Sequence, residues 1–262
     1  MTKTINIQFP ISWRVLDDAQ KEYLLFLHCE GYSPERIHVY ALLDLGITKD
    51  DDGRIIPASV YINKHSFSPD TAALAQLANE KAAWTTELPD YPVRLDTVHG
   101  VKAGYDPYCN SLSFENWLAA DNYMQGFFYK KDPHLLYEIQ KILYPQAKHR
   151  RFITFKTFDA MMQMNIILWW GSLKRWLRGR FPHLFRPAPA TDPKEDAQAS
   201  FSESVSRWEM QARMDNMLLA LTGGDITKEK EVLRMPYQRA FTYLEERMRN
   251  EQLGMRNDTP NS

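Results

Sequence analysis

The chain has 262 residues, of which 44% are hydrophobic and 13% aromatic, so it can bury a substantial core in one domain or one domain with an appendage. A net charge of −1, from 32 basic and 33 acidic residues, argues against nucleic acid as the main partner. Cys29 and Cys109 are far apart in the chain, which indicates reduced thiols. The polar N-terminus argues against a signal peptide. The lack of any apolar run near ~18 residues argues against a membrane span.

The first predicted elements are two helices joined by a very short turn. Asp17 and Asp18 can cap the first helix. Ser33 can cap the second helix, Pro34 suits its first position, and Gly46 ends it. Because the turn is short, we expect the two helices to pack as a hairpin.

Two later segments have the character of short β-strands. Residues 55–62 are rich in β-branched residues but contain Pro57, which restricts them to an edge strand. Val93 and Leu95 alternate with polar residues ahead of Val98, which indicates a second strand. The sequence therefore predicts a mainly α-helical fold, a multi-helix bundle with at most a small two-stranded β element in this region.

The middle of the chain predicts three more helices. Ser113 caps one, and Asp132 precedes another. The longest candidate covers residues 152–181, where apolar residues follow the helical period. Between Met161 and Trp170 this helix is apolar on nearly every side, so we expect that half to be buried centrally.

A change of composition after residue 186 predicts the domain organisation. Three prolines stand among alanine, serine and charged residues, a mixture typical of linkers. We predict an N-terminal helical domain, a linker, a C-terminal helical module and a flexible tail, with boundaries at 1–186, 187–204, 205–253 and 254–262.

Two glycines interrupt the C-terminal module. Gly223 and Gly224 invite comparison with a phosphate-binding loop or a nucleotide cyclase motif, but they follow a helix, and the G-x-x-x-x-G-K spacing is missing. The favoured interpretation is the end of a helix, with glycine in the left-handed conformation. Asp225 or Thr227 then caps the next helix.

No pattern of reactive side chains predicts catalysis. The seven histidines show no metal-ligand spacing, and there is no H-E-x-x-H or G-x-S-x-G motif. The acidic neighbours Glu245 and Glu246 point apart on a helix, as do Asp17 and Asp18. We therefore predict no catalytic residue, no metal and no cofactor, although an enzyme of unrecognised type stays an alternative.

Basic residues and tryptophans around the long helix leave another alternative open. The segment from Trp169 to Arg180 combines tryptophans with lysine and arginine, which suits a peripheral protein at a membrane interface. The same cations also suit contacts with phosphates, or the C-terminal end of a helix, where positive charge is favourable.

Three blocks of sequence resemble uncharacterised proteins of prophage-type tail gene clusters in gut bacteria. The third block is also similar to the C-terminal segments of phage tail-assembly chaperones. The blocks are FPISWRVL (9–16), the group YPVRL (91–95), LSFENWL (112–118) and DNYMQG (121–126), and LTGGDITKEKEVL (221–233). The resemblance implies a role in building a phage-like tail, without catalytic residues.

Together these observations predict a non-enzymatic assembly factor or minor structural adaptor of a phage-type tail. The expected partners are the tape-measure or tube protein, with self-association as a further possibility, and with neither nucleic acid nor membrane. The expected location is the cytoplasm or the finished tail. Methionine-rich helical faces adapt to partners, so the predicted binding residues are Met214, Met217, Leu218, Leu221, Phe241, Leu244 and Met248. Packing of these residues against one another is the alternative.

Overall fold

The computed structural model describes residues 5–65, 71–98, 100–145, 158–185 and 207–257. Helices form most of these residues, which confirms the mainly α prediction. The α-helices of the described residues are α1 (Asp18–Cys29), α2 (Pro34–Leu45), α3 (Ala58–Lys64), α4 (Thr71–Ala82), α5 (Phe114–Lys130), α6 (Pro133–Leu143), α7 (Ala160–Arg180), α8 (Arg207–Thr222), α9 (Glu229–Arg234) and α10 (Tyr237–Asn257).

The chain folds into two compact units. Unit 1 contains Met1–Lys102 and Lys156–Ser172, and unit 2 contains Ala103–Phe155 and Leu173–Ser262. Within unit 2, α10 packs against α5 and so joins the middle of the chain to the C-terminal helices. The predicted domain boundaries stay a prediction. The predicted linker, 187–204, lies outside the described residues and stays a prediction.

Unit 1 begins with the helical pair α1 and α2. Asp17 and Gln20 form a capping box: the Asp17 carboxylate accepts the Gln20 amide at 2.8 Å, and the Gln20 side chain accepts the Asp17 amide at 3.1 Å. Pro34 occupies the first turn of α2. Leu24 of α1 and Ala41 of α2 belong to one buried cluster, so the pair contributes directly to the core.

Two separate antiparallel hairpins replace the single β element that the sequence predicts. In one hairpin, β1 (Ile47–Lys49) pairs with β2 (Ile55–Pro57). In the other, β3 (Thr97–Val98) pairs with β4 (Val101–Lys102). Each strand is only two or three residues long, so the sheets remain minor parts of the fold.

Local hydrogen bonding explains why the predicted strands are shortened. Pro57 has no amide hydrogen to extend a ladder, and α3 begins immediately after it. The amide of Val93 donates instead to the Ser172 hydroxyl at 3.0 Å, and that of Leu95 to the Asn165 side-chain oxygen at 2.9 Å. Because side chains of α7 accept these buried donors, the segment needs no strand partner.

In unit 2, the helices α5 and α6 pack together across a tight connection. The Ser113 hydroxyl accepts the amide of Asn116 at the start of α5, at 3.2 Å. Lys131 ends α5 in the left-handed conformation, with φ of 55°. Asp132 then caps α6 by accepting the His134 amide at 3.0 Å.

The start of α10 is tied to the start of α5 by two backbone hydrogen bonds. The Phe114 amide donates to the Met235 carbonyl at 2.8 Å, and the Tyr237 amide donates to the Leu112 carbonyl at 3.0 Å. These bonds connect residues more than a hundred positions apart in the chain. They therefore hold the start of α10 beside the start of α5.

Phe241 of α10 lies at the centre of an aromatic cluster in unit 2. Its side chain is fully buried, and five other rings approach it. Its closest neighbour is Trp117 of α5, with ring centroids 4.5 Å apart and planes nearly perpendicular. The other rings are those of Phe114, Phe181, Phe185 and Tyr237, at centroid distances of 6.1, 5.7, 5.3 and 5.4 Å.

Candidate docking surface on the C-terminal helices

The predicted binding residues on α8 are only partly covered by the rest of unit 2. Met214, Met217, Leu218 and Leu221 are all half-buried. The side-chain amide of Asn122 in α5 donates to the Met214 sulfur at 2.9 Å. Helix α8 otherwise packs mainly against α9 and α10. An apolar row of α8 therefore keeps part of its area in contact with solvent.

Phe241 and Leu244, the predicted binding residues on α10, belong to the core. Phe241 has no exposed area, and Leu244 is 3% exposed. The reason is that the inward stripe of α10 follows the helical spacing 237, 241, 244, 248. Only its last member, Met248, reaches solvent, at 39% exposure. The two buried residues are thus unavailable to a partner in this conformation, and Met248 is available.

The exposed faces of these helices carry two further apolar residues, Leu219 and Tyr243. They are 60% and 54% exposed. Arg247 of α10 donates to the Ala220 carbonyl of α8 at 2.9 Å, which holds the two helices together. We use the name α8–α10 surface for the half-buried and exposed apolar residues of this pair: Met214, Met217, Leu218, Leu219, Leu221, Tyr243 and Met248.

The double glycine after α8 forms a helix end. Gly223 and Gly224 have φ of 64° and 87°, in the left-handed region that favours glycine. The Gly224 amide donates to the Leu219 carbonyl at 3.3 Å, which is the long bond of a Schellman motif. This turn sets where α8 stops, and so sets the end of the α8–α10 surface.

Asp225 caps the short 3₁₀-helix that follows the glycines. Its carboxylate accepts the Thr227 amide at 3.0 Å and the Thr227 hydroxyl at 2.6 Å. Both bonds lower the pKa of Asp225, and the bond from the Thr227 hydroxyl has the larger effect. Asp225 is partly exposed, and these hydrogen bonds lie within the turn, so its role is local. Of the two predicted caps, Asp225 is the acceptor and Thr227 is the donor.

Two ionisable side chains elsewhere, His38 and Tyr237, form hydrogen bonds that connect distant parts of the chain. His38, for example, is buried, with its ring nitrogens 2.8 Å from the Asn79 side-chain oxygen and from the Thr86 hydroxyl. Burial raises the pKa of Tyr237, whose hydroxyl donates to the Tyr108 carbonyl at 2.7 Å. Within the described ranges, no group of three or more His, Cys, Asp or Glu side chains is arranged to hold a metal ion.

Two of the three tryptophans that suggested a membrane interface lie inside the protein. Trp169 and Trp170 are buried, because the first half of α7 is apolar on nearly every side. Trp176 is half-buried, with its ring packed edge-on against Tyr108 at 4.9 Å. Among the residues that the structure covers, no helix is both long and apolar enough to cross a bilayer. Two of the three tryptophans behind the membrane alternative are therefore buried, while Arg175, Arg178 and Arg180 of the same segment are exposed.

Comparison with known proteins identifies no relative: no family, no curated protein and no solved structure matches the chain.

The sequence prediction missed Leu219 and Tyr243 as members of the surface. The sequence could have predicted the exposure of Tyr243. If positions 237, 241, 244 and 248 form the inward stripe of α10, the helical period places position 243 on the side that faces solvent. Leu219 follows the half-buried Leu218 by one residue, which rotates it by about 100° around α8. For Leu219, the sequence alone offered no means of deciding which side of α8 faces the core.

Proposed function

We propose that this protein is a non-enzymatic assembly factor or adaptor of a phage-type tail, which binds a helix of a tail protein through the α8–α10 surface. The observation that carries the proposal is the set of apolar side chains that α8 and α10 leave partly exposed. Leu219, Tyr243 and Met248 are the most accessible members. The sequence blocks that resemble tail-cluster proteins supply the choice of partner.

The chemistry of the surface suits an amphipathic helix as ligand. Three of its seven members are methionines, whose flexible side chains fit irregular partner surfaces. Tyr243 adds a large, rigid contact with a hydroxyl that can remain hydrated. A partner helix would bury its own apolar stripe against these residues. This mode of binding requires no reactive group on either protein.

Co-expression with tagged tape-measure and tube proteins of a phage-type tail tests the proposal. The full-length chain is required, because deleting the C-terminal helices would also remove Phe241 from the core of unit 2. The test variant is Leu219→Ser with Tyr243→Ser. The control is Tyr129→Ser, which changes a 76% exposed tyrosine on α5. We expect the double variant to lose co-purification and the control to retain it.

Two results would reject the proposal. One is failure of the wild-type protein to bind any tail component. The other is equal retention by the double variant and by the control, since the α8–α10 surface would then have no part in binding. Light scattering of the same proteins identifies self-association: a dimer lost specifically in the double variant would make a second copy the occupant of the surface.

A further inference from the structure

The chain leaves α7 through a short segment that lies against α10. This segment, residues 182–185, is named the strap. The amide of His183 donates to the Glu245 carboxylate at 3.0 Å, and the amide of Leu184 donates to the same oxygen at 2.8 Å. The ring of Phe185 packs edge-on against Phe241, with centroids 5.3 Å apart. One carboxylate and one ring thus make the main contacts between the strap and α10.

Phe185 also contacts a cation. The Lys174 ammonium lies 5.2 Å from the centroid of the Phe185 ring and 5.1 Å from that of Trp117. It forms an ion pair with Asp121 at 2.9 Å. Lys174 therefore bridges the strap and α5, and Phe185 completes the edge of the aromatic cluster around Phe241.

The side-chain contacts described above for the strap come from Glu245, Phe241 and Lys174. Glu245 is 17% exposed in its side chain, and it accepts two backbone amides and lies 3.9 Å from the His183 Nδ1. Hydrogen bonds to an ionised carboxylate are roughly twice as strong as those between neutral groups. His183, Leu184 and Phe185 are only half-buried, and Pro182 is exposed. Segments with little buried area open at a lower free energy than a protein core.

We infer that the strap detaches reversibly from α10, and that the contacts of Glu245 and Phe185 hold it in place. We call this arrangement the latch. It opens as a unit while α5, α6 and α10 remain folded. When the strap detaches, Phe185 leaves Phe241, and the part of the aromatic cluster that Phe185 covers becomes exposed. Unit 2 then presents more apolar area to solvent. The inference goes beyond the docking function and does not depend on it, because the latch is measured on the protein alone.

Amide hydrogen exchange followed by NMR tests the latch. The variant Glu245→Gln keeps the shape of the side chain but removes its charge. The control Glu246→Gln removes the same charge from the next residue, which is exposed on α10. We expect the amides of His183 and Leu184 to exchange about tenfold faster in Glu245→Gln, in line with the loss of a charge-assisted bond. Amides in the middle of α5 should exchange as in the wild type, and the control should change neither group.

The wild-type protein supplies a second measurement that does not depend on any variant. Low concentrations of urea should leave the exchange of the strap amides unchanged and accelerate exchange in the middle of α5, because local opening exposes little surface. Equal urea dependence of the two groups would overturn the latch, since the strap would then open only by global unfolding. So would unchanged exchange of His183 and Leu184 in Glu245→Gln.

Discussion

Replacement of Phe241 by alanine gives the sharpest test of whether this residue is core or binding surface. Its side chain is fully buried and is approached by five aromatic rings. Removing a buried phenylalanine costs about 3–5 kcal/mol. Each favourable ring pair adds roughly 0.5–1.5 kcal/mol beyond the area that it buries. We therefore expect a loss near the upper end, about 4–5 kcal/mol.

Urea unfolding measures this loss directly. With a slope of about 2 kcal/mol/M, a loss of about 4 kcal/mol lowers the midpoint by about 2 M. Tyr243→Ala is the matched control, since it truncates an exposed ring two residues along the same helix. Exposed substitutions of this kind change stability by about 0.5 kcal/mol or less. The assignment of Phe241 to the core of unit 2 is refuted if Phe241→Ala shifts the midpoint no more than Tyr243→Ala does.

Three further predictions concern other parts of the fold. Gln140 is 1% exposed, and neither polar atom of its side chain has a hydrogen-bond partner among the described residues, so Gln140→Met should raise the free energy of unfolding by about 1 kcal/mol; a lower melting temperature would contradict this. Asn165→Ala removes the acceptor of the buried Leu95 amide and should cost about 1–3 kcal/mol in urea unfolding, whereas no loss would show that the bond is dispensable. Hydrogen bonds from Thr227 lower the pKa of Asp225 in the folded state. The cap therefore stabilises the fold at pH values above the ordinary aspartate pKa of about 3.9. This stabilisation is lost as the pH falls through the lower pKa of the folded state. An NMR titration that placed this pKa above the ordinary value would reverse the sign.

Much of the helical organisation was predictable because helix ends depend on neighbouring residues. Asp17 and Ser113 were identified as caps, and Asp132 as the residue before a helix, from their positions ahead of apolar helical segments. Each accepts a backbone amide in the structure. The glycine pair after α8 has the positive φ angles expected for a helix end. The function inferred from the resemblance to tail-cluster proteins, by contrast, stays a proposal, and the co-purification experiment tests it.

Strand pairing and the faces of the C-terminal helices required the tertiary structure. Val93 and Leu95 look like strand residues, but their amides are accepted by side chains from α7, 79 and 70 residues later in the chain. A helical period shows that residues share a face, yet it does not show what covers that face.

The sequence by itself determined that this chain forms capped helices with short turns, because those preferences act over three or four residues. Only the tertiary structure decided that Phe241 is buried while Tyr243 is exposed, and that Glu245 binds the amides of His183 and Leu184. These outcomes depend on contacts between residues distant in sequence, and the free energy of such contacts comes from the packing of whole elements.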